Sequence, residues 1–586
     1  MRIFSADFET TTSIVSNEET RVWAGAMIDI AHYEDDSYLL FWDSIEEFFD
    51  YIQEDMMDGA LESGDILYFH NLKFDGSFIL NHMLREGYKY DEDCFKKYSG
   101  KWFSTLISDM GTWYEIKLNY RGKKIEIKNS LCLVASSVAA MGDSFGTKKR
   151  KLDMDYDASS LHFKLTDEDK AYIAADVQIV AEVLNTLIHG FGFEKLTAGA
   201  NSLNFFIDSF GGKEKFRKYF PYIDSSEDDF IRQSYKGGWC YKSPDAYMEG
   251  KGQTFDVNSL YPSMMHSVSG NIYPVGKGVP FGGEPNPDEE TPLWIAKCRI
   301  LAHLKENHHP CVQIKKSYMF AENEWLTELE NPETGDGVDL TVTSVDWELI
   351  SESYDIEAIT WEGGYYYAAR KGLFDEFIDY WYDIKRNSKG AKKQLAKIIL
   401  NSFYGKFGTR VSGASKIPYL EDGILKFKTT EDEERKGIYL PVACFTTAYA
   451  RRFTITHANA NFDRFCYADT DSIHMRGWEP PAMIRVHDSD MCAWKCEGQW
   501  NRAKFLRQKT YMEEMDGGKL DIKCAGMPES IKYHKELDLE TDKITKIPNI
   551  TFEDFEVGHE WVTGKLEAKQ VRGGVLLLDK PFSIRA

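Results

Sequence analysis

FDVNSLYP (255–262) and YADTDS (467–472) decide how this chain is read. The second string sets Asp469 and Asp471 two residues apart between β-prone neighbours. In an extended strand, residues i and i+2 share a face, so both carboxylates are expected to lean toward one cation. The first string places Asp256 after a strand-like start, with Tyr261 five residues later. Carboxylates that hold two divalent cations about 3.5–4 Å apart are the usual apparatus of phosphoryl transfer. A lone Asp-Thr-Asp is more often a solvated turn. The two strings together predict that Asp256 folds against Asp469 and Asp471 and that the chain makes or breaks phosphodiester bonds.

Between them lies KQLAKIILNSFYGKFG (393–408), which reads as a helix to Tyr404 that ends at Gly405. Lys393, Lys397, Asn401 and Tyr404 spread over about 80° of one helical face. The lysines alone would make an ordinary basic face. With the amide and the ring on the same stripe, they suit a triphosphate and the sugar or base beyond it.

These three segments resemble motifs A, B and C of family B DNA polymerases. The forms Lys397 to Gly405 and Tyr467 to Ser472 are similar to the protein-primed branch carried by small tailed phages. SYKGGW (234–239), LRQKTY (506–511) and KCAGM (523–527) fit the same branch in the same order. The resemblance implies that Asp256 and Asp471 hold two Mg²⁺ (or Mn²⁺) ions, with Asp469 as a third carboxylate. Deoxynucleoside triphosphates would meet Lys385, Lys393, Lys397, Asn401 and Tyr404, and Tyr261 would exclude a 2′-hydroxyl. Tyr235, Gly237 and Gly238 would guide DNA between two sites. Lys509 and Tyr511 would contact the primer strand.

A second acidic set precedes these motifs. Asp7 and Glu9 lie in FSADFET, Asp75 in FHNLKFDG, and Asp176 in AYIAADVQIV, one turn after Tyr172. Four carboxylates with a tyrosine to orient water make the pattern of a two-metal 3′–5′ exonuclease. It resembles the proofreading domain of the same family. Lys151, in a run of four cations (148–151), matches a catalytic lysine of the phage branch, although such a run also suits backbone phosphate. Asn71, Phe74, Ser130 and Leu131 match positions that grip the frayed primer, and Phe74 could stack a base.

At 586 residues the chain is too long for one core, and about two to four domains are expected. No apolar stretch of about 18 residues is read, so no membrane span is predicted. The N-terminus lacks a basic-then-apolar leader, and the ten cysteines are scattered, which points to a reducing compartment. The resemblance makes that the cytoplasm of an infected bacterium, with no secretion. A net charge of −24 argues at first against a DNA-binding enzyme. What DNA feels is the local field, however, and basic residues gather at 385–397, 502–509 and 565–572. A basic channel on an acidic body is expected.

The expected architecture is α/β and α+β. It comprises a ribonuclease-H-like exonuclease (1–197) and a right-hand polymerase with two insertions. The palm spans 198–304 and 435–534, the fingers 364–411 and a β-rich thumb 535–586. The insertion at 305–363 would meet the terminal protein that primes synthesis, and the insertion at 412–434 would close a ring around DNA for strand displacement. HKELDLETDKITK (534–546) departs from the pattern and blurs the thumb boundary. A monomer is expected, or a heterodimer with terminal protein at initiation. The other readings are a family B polymerase primed only by nucleic acid, a nuclease with a DNA-binding body, and a replication scaffold without activity.

Overall fold

The computed structural model describes residues 1–585 except 160, 162–164, 245–246, 315–324 and 539–542. Part of the expected first insertion (315–324) and the middle of the polar stretch at 534–546 therefore lie outside the described residues. Among the described residues, three sheets carry the fold.

The first sheet is mixed and lies wholly within the first 129 residues. Its strand order is Leu40–Trp42, Val22–Asp29, Ile3–Thr10, Ile66–Phe69, Lys123–Asn129, Trp113–Tyr120, Lys101–Ile107, Lys89–Tyr90. Ile3–Thr10 runs parallel to Ile66–Phe69, which runs parallel to Lys123–Asn129. Helix Asp167–Asn185 packs against the first two strands of the chain. Its start is set by a capping box in which Thr166 and Asp169 exchange hydrogen bonds. The sequence showed no apolar run long enough to cross a membrane; with its π-helical extension to Gly190 this helix is long and apolar enough. The extension is what lengthens it, and its buried contacts make it a core helix of this sheet.

The second sheet is antiparallel. Its order is Leu520–Cys524, Thr510–Met515, Trp494–Arg507, Tyr247–Val257, Ser472–Arg476, Phe465–Asp469, Cys240–Lys242. Helix Leu440–Asn459 is buried nearly all round, which its apolar sequence requires. Helices Asp375–Asn387 and Gly390–Phe407 pack on each other and on helix Ala198–Ser209. Phe206, Phe374, Phe377, Phe403 and Phe407 form their shared core. Fully burying one such ring contributes about 1.5–3 kcal/mol.

The third sheet holds Tyr273–Gly282, Tyr354–Arg370, Leu293–Leu304, Glu328–Leu329 and Val338–Thr343. Strand Tyr354–Arg370 runs through the expected fingers boundary at 364, so the helical pair starts only at Asp375. The Gly363–Gly364 pair lets it continue: a Cβ at Gly363 would lie 2.2 Å from Phe281 O, and one at Gly364 2.0 Å from Ile295 O. Helix Gly390–Phe407 likewise passes through Gly405, and Gly408 follows its last residue. The boundary expected at 535 falls inside strand Tyr533–Asp538, which pairs with Lys543–Pro548.

Segment 412–434 is a hairpin, Lys416–Glu421 against Ile424–Thr429, closed at its base by Ser412–Gly413 against Glu433–Glu434. It is fastened to the first sheet by Thr105 Oγ1 to Lys416 O (3.3 Å) and Asp109 N to Ala414 O (3.1 Å). Asn81 Nδ2 donates to Gly423 O at 3.0 Å. The C-terminal hairpin, Glu560–Val571 against Gly574–Ser583, reaches the same place. There Arg572 bridges to Glu19 and to Ile424, and its carbonyl accepts from Thr20 N at 2.9 Å.

Candidate active sites

Asp256 is the last residue but one of strand Tyr247–Val257 and stands opposite Ser472 on one side and Lys495 on the other. The hairpin that carries Asp469 and Asp471 turns beside it. Val257 N donates to Asp471 O, Asp471 N to Asp469 O and Thr470 N to Trp239 O, each at 2.7 Å. Strand alternation is not what joins the two aspartates. Asp469 closes one strand, Thr470 takes a left-handed φ of 66° and Asp471 lies in the turn. The turn therefore splits their surroundings: Asp471 lies with Asp256, whereas Asp469 Oδ1 accepts from Lys509 Nζ at 2.7 Å.

Burial, and then Asp471 and Glu497, push the Asp256 carboxyl up to about 8 against the pull of Lys495 and Lys385. Asp471 is also raised, by burial and then by Asp469. Two crowded, half-desolvated carboxylates are costly without a cation and suit one. A cavity of about 880 Å³ opens over them, lined by Tyr261, Lys509 and Tyr511 among others.

On the facing helix Lys393, Lys397 and Asn401 are exposed, while Leu395, Ala396, Ile399, Leu400 and Phe403 are buried. Lys385 converges from the neighbouring helix. Burial and then Lys397 and Lys393 push its ammonium down, and it donates to Ser259 Oγ at 2.6 Å. Tyr261 and Tyr404 stack with centroids 4.0 Å apart. Three cations, an amide and two rings thus lie on one side of the carboxylates.

The Tyr235–Gly238 segment lies against the turn, where a Cβ at Gly238 would come 2.5 Å from Thr470 Cγ2. Sequence reasoning missed what holds this segment. Arg451, buried in helix Leu440–Asn459, donates to Lys236 O (3.0 Å) and Gly237 O (2.8 Å) and pairs with Asp346 Oδ1 (2.6 Å). An Arg-Arg pair, Arg451 and Arg452, ending the apolar run LPVACFTTAYA was the available signal.

The other acidic set gathers on the first sheet. Asp7 and Glu9 share strand Ile3–Thr10, Asp75 lies on helix Leu72–Arg85, and Tyr172 and Asp176 lie on helix Asp167–Asn185. Burial, and then Asp176, push Asp7 up to about 7. Glu9 is raised by burial and by Asp7 and Asp176, and Asp75 by burial and by Asp7. Lys151 Nζ donates to Tyr172 Oη at 2.7 Å and pairs with Asp176. Tyr156, which the sequence reading passed over, holds the same phenol at 2.6 Å.

Asp75 Oδ1 and Asp176 Oδ1 are buried without a hydrogen-bond partner among the described residues, the state that a cation would satisfy. Asn71 is exposed, in a left-handed conformation with φ 68°, and Phe74 and Leu131 are partly exposed. Ser130 is buried, its hydroxyl bonded to Phe69 O and His70 Nδ1, so it stands behind the exposed Asn71 and the partly exposed Phe74 rather than beside them.

A buried carboxylate cluster on one sheet and an Asp256–Asp471 pair beside a lysine-bearing helix on another are an arrangement that suits a DNA polymerase. The family described as DNA polymerase type B, organellar and viral, matches residues 61–170 and 160–489. The chain belongs to that family and is a DNA-directed DNA polymerase. It is 39% identical to the DNA polymerase of Bacillus phage phi29 (100% of this chain, 99% of that one) and 38% identical to that of Bacillus phage B103 (100% of each). The DNA polymerase of Streptococcus phage Cp-1 is 32% identical, covering 99% of this chain and 98% of that one. The phi29 enzyme complexed with primer-template DNA superposes with a TM-score of 0.87 at 36% identity, covering 100% of both chains. Its complex with primer-template DNA and incoming nucleotide gives 0.86 at the same identity and coverage.

Proposed function

We propose that this polymerase starts synthesis on a terminal protein and extends it processively with strand displacement. In this reading it proofreads with its own 3′–5′ exonuclease, in the cytoplasm of an infected bacterium. The observation that carries the synthetic site is the hydrogen bond from Val257 N to Asp471 O, which holds Asp256 beside the Asp469–Asp471 turn. Asp256 and Asp471, with Asp469 near, would hold two Mg²⁺ or Mn²⁺ ions. Bound there, the cations would acidify the primer 3′-hydroxyl and neutralise the triphosphate.

The side chains do the rest. Lys385, Lys393 and Lys397 orient the phosphates of the deoxynucleotide, with Asn401 beside them. Tyr261, stacked on Tyr404, presents its face to the sugar and leaves no room for a 2′-hydroxyl. Lys509, tied to Asp469, and Tyr511 hold the primer strand, and Tyr235, Gly237 and Gly238 guide it.

In the nuclease, Asp7, Glu9, Asp75 and Asp176 would hold the cations while Tyr172, braced by Lys151, orients water. Asn71, Phe74, Ser130 and Leu131 would form the wall that meets the frayed end. The chain is proposed to act as a monomer on template and primer DNA, and as a heterodimer with terminal protein at initiation, through 305–363.

The test is extension of a primed single-stranded circle with Mg²⁺ and no accessory factor. Product longer than the circle is expected, and arrest at one circumference would remove strand displacement from the proposal. Deoxynucleotide transfer to a hydroxyl side chain of the phage terminal protein would separate protein priming from a purely nucleic-acid-primed enzyme.

A further inference from the structure

Under the Asp256–Asp471 pair lies a buried polar group with no part in the chemistry assigned above. His474 is 0% exposed and Glu513 2%. Glu513 Oε1 accepts from His474 Nδ1 and from Thr254 Oγ1, each at 2.7 Å. Thr254 Oγ1 also lies 3.1 Å from His474 Nδ1 and accepts from Trp500 Nε1 at 3.3 Å. The other ring nitrogen, His474 Nε2, lies 3.3 Å from the Ser472 hydroxyl.

The placement of these residues matters more than the burial. Thr254 is two residues before Asp256 on the same strand, and therefore on the same face. Ser472 follows Asp471 and is the cross-strand partner of both Asp256 and Asp469. Glu513 lies two residues past Tyr511, on the strand that begins beside Lys509. One carboxylate thus ties the strand bearing Asp256, the turn bearing Asp471 and the strand expected to grip the primer. A purely apolar filling would avoid the desolvation cost of a buried acid. A fixed hydrogen-bonded cluster instead sets the relative height of the strands it joins.

We propose that His474 and Glu513 are positioning residues that set the spacing of Asp256 and Asp471, and so the strength with which that pair holds its divalent cations. The inference rests on the assignment of Asp256 and Asp471 to the synthetic site. Glu513→Ala removes the hub; Glu513→Gln keeps an oxygen that accepts from both partners.

The measurements are the Mg²⁺ concentration for half-maximal nucleotide addition, trimming of single-stranded DNA, and Mn²⁺ binding followed by electron paramagnetic resonance. The Mn²⁺ titration uses protein also carrying Asp7→Ala and Glu9→Ala, so that the synthetic site dominates. Removal of a group that orients metal ligands is expected to weaken metal dependence and binding about tenfold in Glu513→Ala. Glu513→Gln should stay within about twofold of the parent, and trimming by Glu513→Ala should change by no more than about twofold. An unchanged Mg²⁺ requirement and Mn²⁺ affinity in Glu513→Ala would overturn the proposal, as would equal loss at both sites in a folded protein.

Should Glu513→Ala fail to fold, Thr254→Val, which keeps the shape but deletes the hydroxyl that donates to Glu513 and accepts from Trp500, is expected to raise the Mg²⁺ requirement about threefold. No rise there is likewise fatal. Asp471→Ala separates the two readings. If it still adds nucleotides, the site assignment fails. If it is dead while Glu513→Ala is normal, only the positioning role fails.

Discussion

Asp256 shows what a single residue contributes and what it costs. Its carboxyl is held up at about 8 by burial, Asp471 and Glu497, far above the ordinary 3.8. The folded protein therefore binds a proton there that the unfolded chain releases. Stability from this group is complete below 3.8 and is lost as pH rises through about 8. Without divalent cation, the thermal midpoint is expected to fall across that window, and Asp256→Asn to flatten the fall. Mg²⁺ should restore most at the alkaline end, because a cation binds the ionised form. Scanning calorimetry with and without Mg²⁺ reads both; a midpoint indifferent to pH would contradict the crowding. Asp256→Ala or Asp471→Ala is expected to abolish nucleotide addition and leave trimming of single strands, while Asp7→Ala with Glu9→Ala does the reverse. Gel assays on one labelled primer check both, and cross-loss would mean that the two clusters are not separate sites. Tyr261→Val should admit ribonucleotides, seen as alkali-labile product.

At the scale of elements, the sequence was most legible where chemistry constrains spacing. Asp256 and the Asp469–Asp471 string had to meet, whichever loops joined them. How they meet was not legible, because the left-handed Thr470 depends on Trp239 O and on Gly238 leaving room beside it. The same holds for the Arg451–Asp346 pair and for Tyr156, whose roles exist only across tertiary contacts. Gly405 misled for a local reason: glycine signals a helix end, yet this helix continues to Phe407 because Phe403 and Phe407 fill a common aromatic core. Gly405 is exposed and nothing lies within 4 Å of where its Cβ would be. Gly405→Ala is therefore expected to stabilise the protein by about 0.5–1 kcal/mol, measured by denaturant titration. If the folded protein gains stability but loses affinity for template, that glycine is kept for the approach of DNA.

The whole molecule closes on itself. The hairpin at 416–429 is pinned to the first sheet, and Arg572 at the tip of the C-terminal hairpin bridges to both. Leu425 and Val575 join the core of that sheet, so the closure is packed and not merely touching. Gly573, at φ 86°, makes the contact possible, since a Cβ there would lie 2.1 Å from Thr20 O. A body of net charge −24 that closes this way would hold DNA through local basic faces, so affinity should fall steeply with added salt. Closure should persist where contacts are backbone and apolar. Removal of 412–434, with the ends joined by a short Gly-Ser link, takes away this hairpin and its contacts and leaves both carboxylate clusters intact. Gap filling opposite a single-stranded template is then expected at near the parental rate, because nothing ahead of the primer must be parted. Extension into a downstream duplex is expected to stop at the fork, and products on a primed circle to shorten to distributive ladders. The two substrates, compared at equal enzyme, separate a lost wedge from a damaged active site. Equal loss on both would mean that this hairpin supports the fold of the first sheet and not the path of the DNA.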